Sequence, residues 1–268
     1  MNRSITFIGV FAALFVMFTT APTADANHTW GNYHWARIQN PFTLKLGDNL
    51  TNTWDSYLLT TSTDWSSSTV LDTVVVAGNT NNTKGKNTPK NCTPTNGRGE
   101  VCNAKYGATG WLGIASIWAS GDHITAGTVK LNDTYFNTAT YNKPAWKNLV
   151  MCQEVGHLFG LGHQDETFDN PNLNTCMDYT NNPDSNQEPN SHDYELLLQI
   201  YNHLDTTTTI ANSLSLLAAD SNSEADWGLE IHRSDDGRSS IFVKDLGNGN
   251  RVVRHVYWVE PRGNHHHE

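Results

Sequence analysis

The residues best placed to do chemistry are Gln153-Glu154-Val155-Gly156-His157-Leu158-Phe159-Gly160-Leu161-Gly162-His163. On a helix, positions 153 and 157 stand one turn apart on the same face and can share a metal ion. Glu154 lies beside them, where a carboxylate can deprotonate a water for attack on a carbonyl. Gly160 suits a left-handed helix end, which turns the chain back and brings His163 round as a third donor. Three protein ligands with one open position are the arrangement of a catalytic rather than a structural zinc. Gln153 is the unusual member, a neutral oxygen donor where imidazole suits zinc better. Weaker binding and a more electrophilic metal are expected of it, and its amide needs a partner to fix it. Gly156 costs about 1 kcal/mol relative to Ala inside a helix, so close packing must require it. A single His or a Gln-Glu pair on a helix is ordinary, and only the whole combination carries the signal.

That combination resembles the signature of the metzincin metallopeptidases, H-E-x-x-H-x-x-G-x-x-H, with Gln153 standing in for the first histidine. Cys176-Met177-Asp178-Tyr179 resembles the Met-turn of the same clan, and the order of elements is similar over roughly residues 35–205. The resemblance implies an α+β fold: a mixed, mostly parallel sheet, an active-site helix packed on it, the Met-turn and a C-terminal helix. It implies one catalytic Zn2+ held by Gln153, His157 and His163, with Glu154 as general base and then proton donor to the leaving amine. Met177 becomes a packing base beneath the metal. Tyr179 is similar to the tyrosine that binds metal or steadies the oxyanion in astacins and serralysins, and reads equally well as a core tyrosine. The matrixin branch carries a different sequence after its methionine, which leaves the subfamily open. The resemblance also implies an edge strand, assigned to His123–Asn132, that pairs with an extended protein or peptide substrate. The expected activity is secreted zinc-dependent endopeptidase. The competing expectation is a secreted binding module that keeps the fold without catalysis, favoured by Gln153 and opposed by Glu154.

Composition and the N-terminus bound these readings. The 268 residues carry 17 Lys and Arg against 27 Asp and Glu, a net charge of −10 that argues against a nucleic-acid partner. Nine each of Trp, Tyr and Phe suffice for a good core. Arg3, the apolar run Ile5–Phe18 and Ala24-Asp25-Ala26 read as a signal peptide over residues 1–26, too short in its apolar part to span a bilayer. The mature chain is then expected outside the cell, as a monomer free of the membrane. Export permits disulfides, and four cysteines allow three connectivities. Proximity favours Cys92–Cys102, which leaves Cys152 with Cys176. In the clan it resembles, the segments bearing Cys152 and Cys176 meet, so that a bridge would fasten the metal-bearing helix to the Met-turn.

The elements that must position these residues follow from periodicity. Residues 27–205 form the expected catalytic domain. Alternation predicts a strand at Phe42–Leu46, a helix over Asn52–Trp65 capped by Asn52 or Thr53, and an internal strand at Val70–Ala77. A loop spans Gly78–Arg98, and strands Trp111–Ala119 and His123–Asn132 flank a turn at Ser120-Gly121-Asp122. Pro144 opens the motif helix, which runs to about Phe159. Ser191 is expected to cap a helix reaching Leu204. Residues 206–268 read as a linker and a small β-meander punctuated by Asp236-Gly237 and Asn248-Gly249. His123, His192 and His203 are scattered and lack ligand spacing relative to the motif. Asp165 and Glu166 suit solvated charges or supports for His163.

Overall fold

A computed structural model describes residues 28–79, 90–211 and 220–259; the expected signal peptide and His265–His267 lie outside the described residues. In chain order the strands are β1 (His34–Trp35), β2 (Phe42–Asn49), β3 (Leu71–Ala77), β4 (Gly99–Ala104), β5 (Trp111–Ser120), β6 (His123–Asn132), β7 (Leu229–Arg233), β8 (Ser239–Gly247) and β9 (Asn250–Trp258). The helices are α1 (Asp55–Trp65), α2 (Asp133–Phe136), α3 (Pro144–His157) and α4 (Ser191–Ile200). All nine strands join one mixed sheet of order β3-β2-β4-β6-β5-β9-β8-β7, with β1 pairing β6. The architecture is α+β.

The sheet is not mostly parallel. β1, β2, β3, β4 and β6 pair in parallel, but β6-β5, β5-β9, β9-β8 and β8-β7 are antiparallel. The second half comes from the C-terminal meander, which extends the same sheet instead of standing apart. Its β8–β9 turn places Asn248 and Gly249 at φ 54° and 77°, the left-handed pair that a tight two-residue hairpin needs. The expectation that His123–Asn132 forms an edge strand is overturned. β6 lies between β4 and β5, and β9 occupies the outer side of β5 along Trp111–Ser120.

Three boundaries differ from the sequence reading for identifiable reasons. α1 begins at Asp55 behind Trp54, which offers no side-chain cap. Trp54 is held there by burial and by its indole N–H donating to Asp133 Oδ1 at 2.9 Å. α4 is capped by Asn190, not Ser191: the Asn190 side chain accepts from His192 and Asp193 N–H, and Asp193 reciprocates, closing a capping box. It stops at Ile200, short of Leu204. α3 stops at His157, because the chain must turn at Gly160 (φ 90°) to pass under Tyr33.

The main core lies between the helices and one sheet face. Val253 and Tyr257 of β9 face it, while Val256 and Trp258 face a second cluster with Trp111, Ile114, Trp227 and Phe242 on the other side. This alternation puts His255, between Val253 and Tyr257, on the same face as the motif helix. Gly156 is explained by a close contact, though not with the sheet: a Cβ there would meet Met177 Sδ at 2.6 Å and the Trp65 ring at 2.7 Å.

Candidate metal centre

α3 presents His157 on its last turn, and the Gly160 turn returns His163 beside it, with the two rings 4.7 Å apart at right angles. A third imidazole joins them from the far end of the chain. His255 of β9 stacks 4.1 Å from His157 and 4.4 Å from His163. One ligating nitrogen from each of His157, His163 and His255 lies within 4.8 Å of the other two.

Hydrogen bonding shows which nitrogen of each ring is left over. His157 Nδ1 is 2.8 Å from the Leu161 carbonyl, which can only accept, so Nδ1 carries the proton and Nε2 keeps its lone pair. His163 Nδ1 faces Glu166 Oε1 at 3.2 Å. His255 Nε2 lies 3.0 Å from the Tyr179 hydroxyl and 3.1 Å from Ser239 Oγ. The remaining atoms, His157 Nε2, His163 Nε2 and His255 Nδ1, are buried with no hydrogen-bond partner among the described residues. Burial and the neighbouring imidazoles hold the pKa of His157 and His255 well below the usual histidine range, so both rings offer lone pairs at neutral pH. Three convergent imidazoles, each tethered through its other nitrogen, fit a borderline-soft divalent cation such as zinc.

Glu154 is fully buried beside this cluster, with Oε2 3.9 Å from His255 Nδ1 and neither oxygen closing a hydrogen bond. Burial pushes its pKa well above the usual carboxylate range. Gly113 of β5 makes room for the carboxyl group. Gln153 is also fully buried. Its amide donates to the Cys176 carbonyl at 2.9 Å and its Oε1 has no partner among the described residues. Tyr179 is buried, stacked 4.6 Å from Phe168 and engaged with His255 through its hydroxyl. Burial and surrounding acidic groups drive its pKa well above that of a free phenol.

The support beneath the cluster is covalent as well as packed. Cys152 and Cys176 form a disulfide with Cα atoms 5.9 Å apart, joining α3 to the segment of Met177, and Cys92 pairs with Cys102. Glu166 bridges His163 and His232, the latter at 2.8 Å; their hydrogen bonds outweigh the effect of its burial and bring its pKa down to about 2. A cavity of about 350 Å³ opens onto the cluster, walled by Trp30, Gly162, Glu166, His232 and Ile241.

His255 and its tether Ser239 had no place in the sequence reading. The available signal was one histidine between Val253 and Tyr257, two inward apolar positions of a strand that also carries Arg251 and Arg254. Nor are His123 and His203 scattered: both converge with His34 on Asp205, away from this cavity. His192 packs 5.1 Å from the ring of His28. Among the described residues no helix is long and apolar enough to cross a membrane. No protein-family model matches the chain, and no curated protein matches it.

Proposed function

We propose that the protein is a secreted metzincin-like zinc endopeptidase whose metal is held by His157, His163 and His255, with Glu154 as general base. The observation that carries this reading is the convergence of three unpartnered imidazole nitrogens beside an unpartnered, fully buried carboxylate. Such an arrangement is costly to fold unless something occupies it. A bound zinc would supply Lewis acidity toward a water and toward the scissile carbonyl. Glu154 takes the proton of the attacking water and delivers it to the amine as the C–N bond breaks. In this reading His255 takes the donor role expected of Gln153. Gln153 instead fixes the Met177 segment through the Cys176 carbonyl. Tyr179 and Ser239 orient His255, which makes Tyr179 a positioning residue instead of an oxyanion partner. Substrate reaches the centre through the cavity between Trp30 and His232, since β5 and β6 have no free edge.

A second reading, a non-catalytic binding module, draws on the complete burial of Glu154 and the covered outer side of β5. Zinc content and cleavage of an unstructured protein separate the two, measured on wild type, Glu154→Ala, His255→Ala and Gln153→Ala. The peptidase reading expects cleavage abolished by Glu154→Ala with zinc retained, and the zinc equivalent of this centre lost in His255→Ala but kept in Gln153→Ala. Wild type that binds zinc and cleaves nothing supports the binding module. Loss of zinc in Gln153→Ala with retention in His255→Ala restores the glutamine ligand.

A further inference from the structure

The two-residue strand β1 exists to set His34 beside His123, its register partner on β6. The chain leaving α4 then brings His203 and Asp205 to the same place. His34, His123 and His203 each direct Nε2 at one oxygen, Asp205 Oδ1, at 3.6, 3.2 and 3.8 Å. The His34 and His203 Nε2 atoms are themselves 3.2 Å apart. His34 Nδ1 lies 2.8 Å from the Asn32 carbonyl and must be the donor there. With Nδ1 engaged there, His34 turns Nε2 toward another imidazole nitrogen and a carboxylate oxygen. A divalent cation placed between them would be met by all of these atoms at once.

We propose that His34, His123, His203 and Asp205 form a second, structural zinc site, separate from the centre at His157. Zinc bonds of about 2.0–2.2 Å to nitrogen and oxygen put tetrahedral ligands about 3.3–3.6 Å apart. His34, His123 and Asp205 already lie within 4.8 Å of one another, and the half-exposed His203 ring, 3.2 Å from His34 and 3.8 Å from Asp205, closes on the ion by a small rotation. Three imidazoles and one carboxylate complete the four-coordinate shell and leave no position for substrate, so the site is closed and not catalytic. The carboxylate is already aligned. Asp205 Oδ2 accepts from Arg37 Nη1 at 3.0 Å and from the Arg37 backbone at 3.1 Å, which frees Oδ1 for the metal. His34 and Asp205 are mostly buried, whereas His123 and His203 keep 40% and 46% of their side chains exposed, giving the ion a path of entry.

The ion would tie three remote parts of the chain: the segment before β2, the start of β6 and the end of α4. The first of these also walls the other centre, since the Trp30 ring lies 5.5 Å from His157 and His28 Nδ1 lies 2.9 Å from the Gly162 carbonyl. The second zinc thus orders the rim of the first cavity without entering it.

The test is zinc stoichiometry of the full chain, run with His265, His266 and His267 replaced by Ser so that the tail binds none. Two equivalents are expected. His157→Ala/His255→Ala should retain one, and cobalt loaded into that variant should show the visible spectrum of a tetrahedral nitrogen-oxygen site. His123→Ala/His203→Ala should also retain one, with a lowered Tm that no longer responds to chelator at this site. Asp205→Asn, which preserves shape, should weaken the retained equivalent of the first variant by more than about 100-fold, the upper range for loss of an outer partner alone. The proposal is overturned if His157→Ala/His255→Ala binds no zinc while remaining folded, or if His123→Ala/His203→Ala keeps the full wild-type content. Neither result depends on peptide cleavage, so the peptidase reading stands or falls separately.

Discussion

Gly113→Ala probes the carboxylate of Glu154 without touching it. A Cβ at this position would lie 2.7 Å from Val150 Cγ1 and 3.0 Å from Glu154 Cδ, and nearer still to Oε1. Ordinary van der Waals contact begins near 3.4 Å, so the carboxyl carbon must retreat by about 0.4 Å and the valine methyl by about 0.7 Å. Both side chains are fully buried, one on each of two successive turns of α3, and have no empty space to enter. Overpacking of this kind costs about 1–3 kcal/mol. Oε1, the atom that would take the proton, is the nearest of the three and must move by about 1 Å, a misplacement that costs on the order of 100-fold in kcat/KM. Chemical denaturation of wild type, Gly113→Ala, Glu154→Ala and the double variant gives the coupling directly. If the clash is with the carboxylate, Gly113→Ala is less destabilising in the Glu154→Ala background, by at least about 0.5 kcal/mol. Zinc content should be unchanged throughout, because none of the three imidazoles is moved. Strict additivity, with wild-type cleavage by Gly113→Ala, would refute the claim that Glu154 is poised against β5.

Gly156→Ala should destabilise by about 1–3 kcal/mol in a denaturant melt despite the better helix propensity of Ala, since Trp65 is pinned by its indole bond to the Cys152 carbonyl and cannot yield. Asp220→Ala strands two buried cations, Lys130 at 2.9 Å and Arg254 at 3.5 Å, and a loss of about 3–5 kcal/mol is expected in the same assay. Replacing both Cys152 and Cys176 by Ala should lower stability by about 3 kcal/mol, from the loop the bridge closes, and should speed zinc loss to a chelator. Tyr179→Phe should weaken zinc at the first centre toward the lower end of the 10–100-fold range by competition with a metal indicator, because Ser239 still tethers His255.

Local residue patterns disclose half of the centre and little of its completion. Glu154, His157, Gly160 and His163 are legible because helix spacing and one glycine turn fix their relation within a few residues. His255 is not, because only the pairing of β9 on β5 brings it there, and nothing local to either strand announces that pairing. β4 escaped for another reason: Glu100 and Asn103 make Gly99–Ala104 look like surface. Both are buried and satisfied, Glu100 by Asn49 and Arg98, and Asn103 by Thr51 and Asp133. The prediction of a mostly parallel sheet failed because it treated the meander as an appendage, when its strands supply most of the antiparallel half. The meeting of His34, His123, His203 and Asp205 was out of reach altogether, since they come from three places that share no period.

The position of His255 on the last strand also sets an order of events. A chain that has emerged through α4 already contains the motif helix, but only two of the three imidazoles. The third arrives by closing a long loop, a non-local step that folds late and carries a large entropy cost. On the proposed reading, hydrolytic competence would be coupled to completion of the sheet, and an incompletely folded chain would offer a metal only two of the three imidazoles.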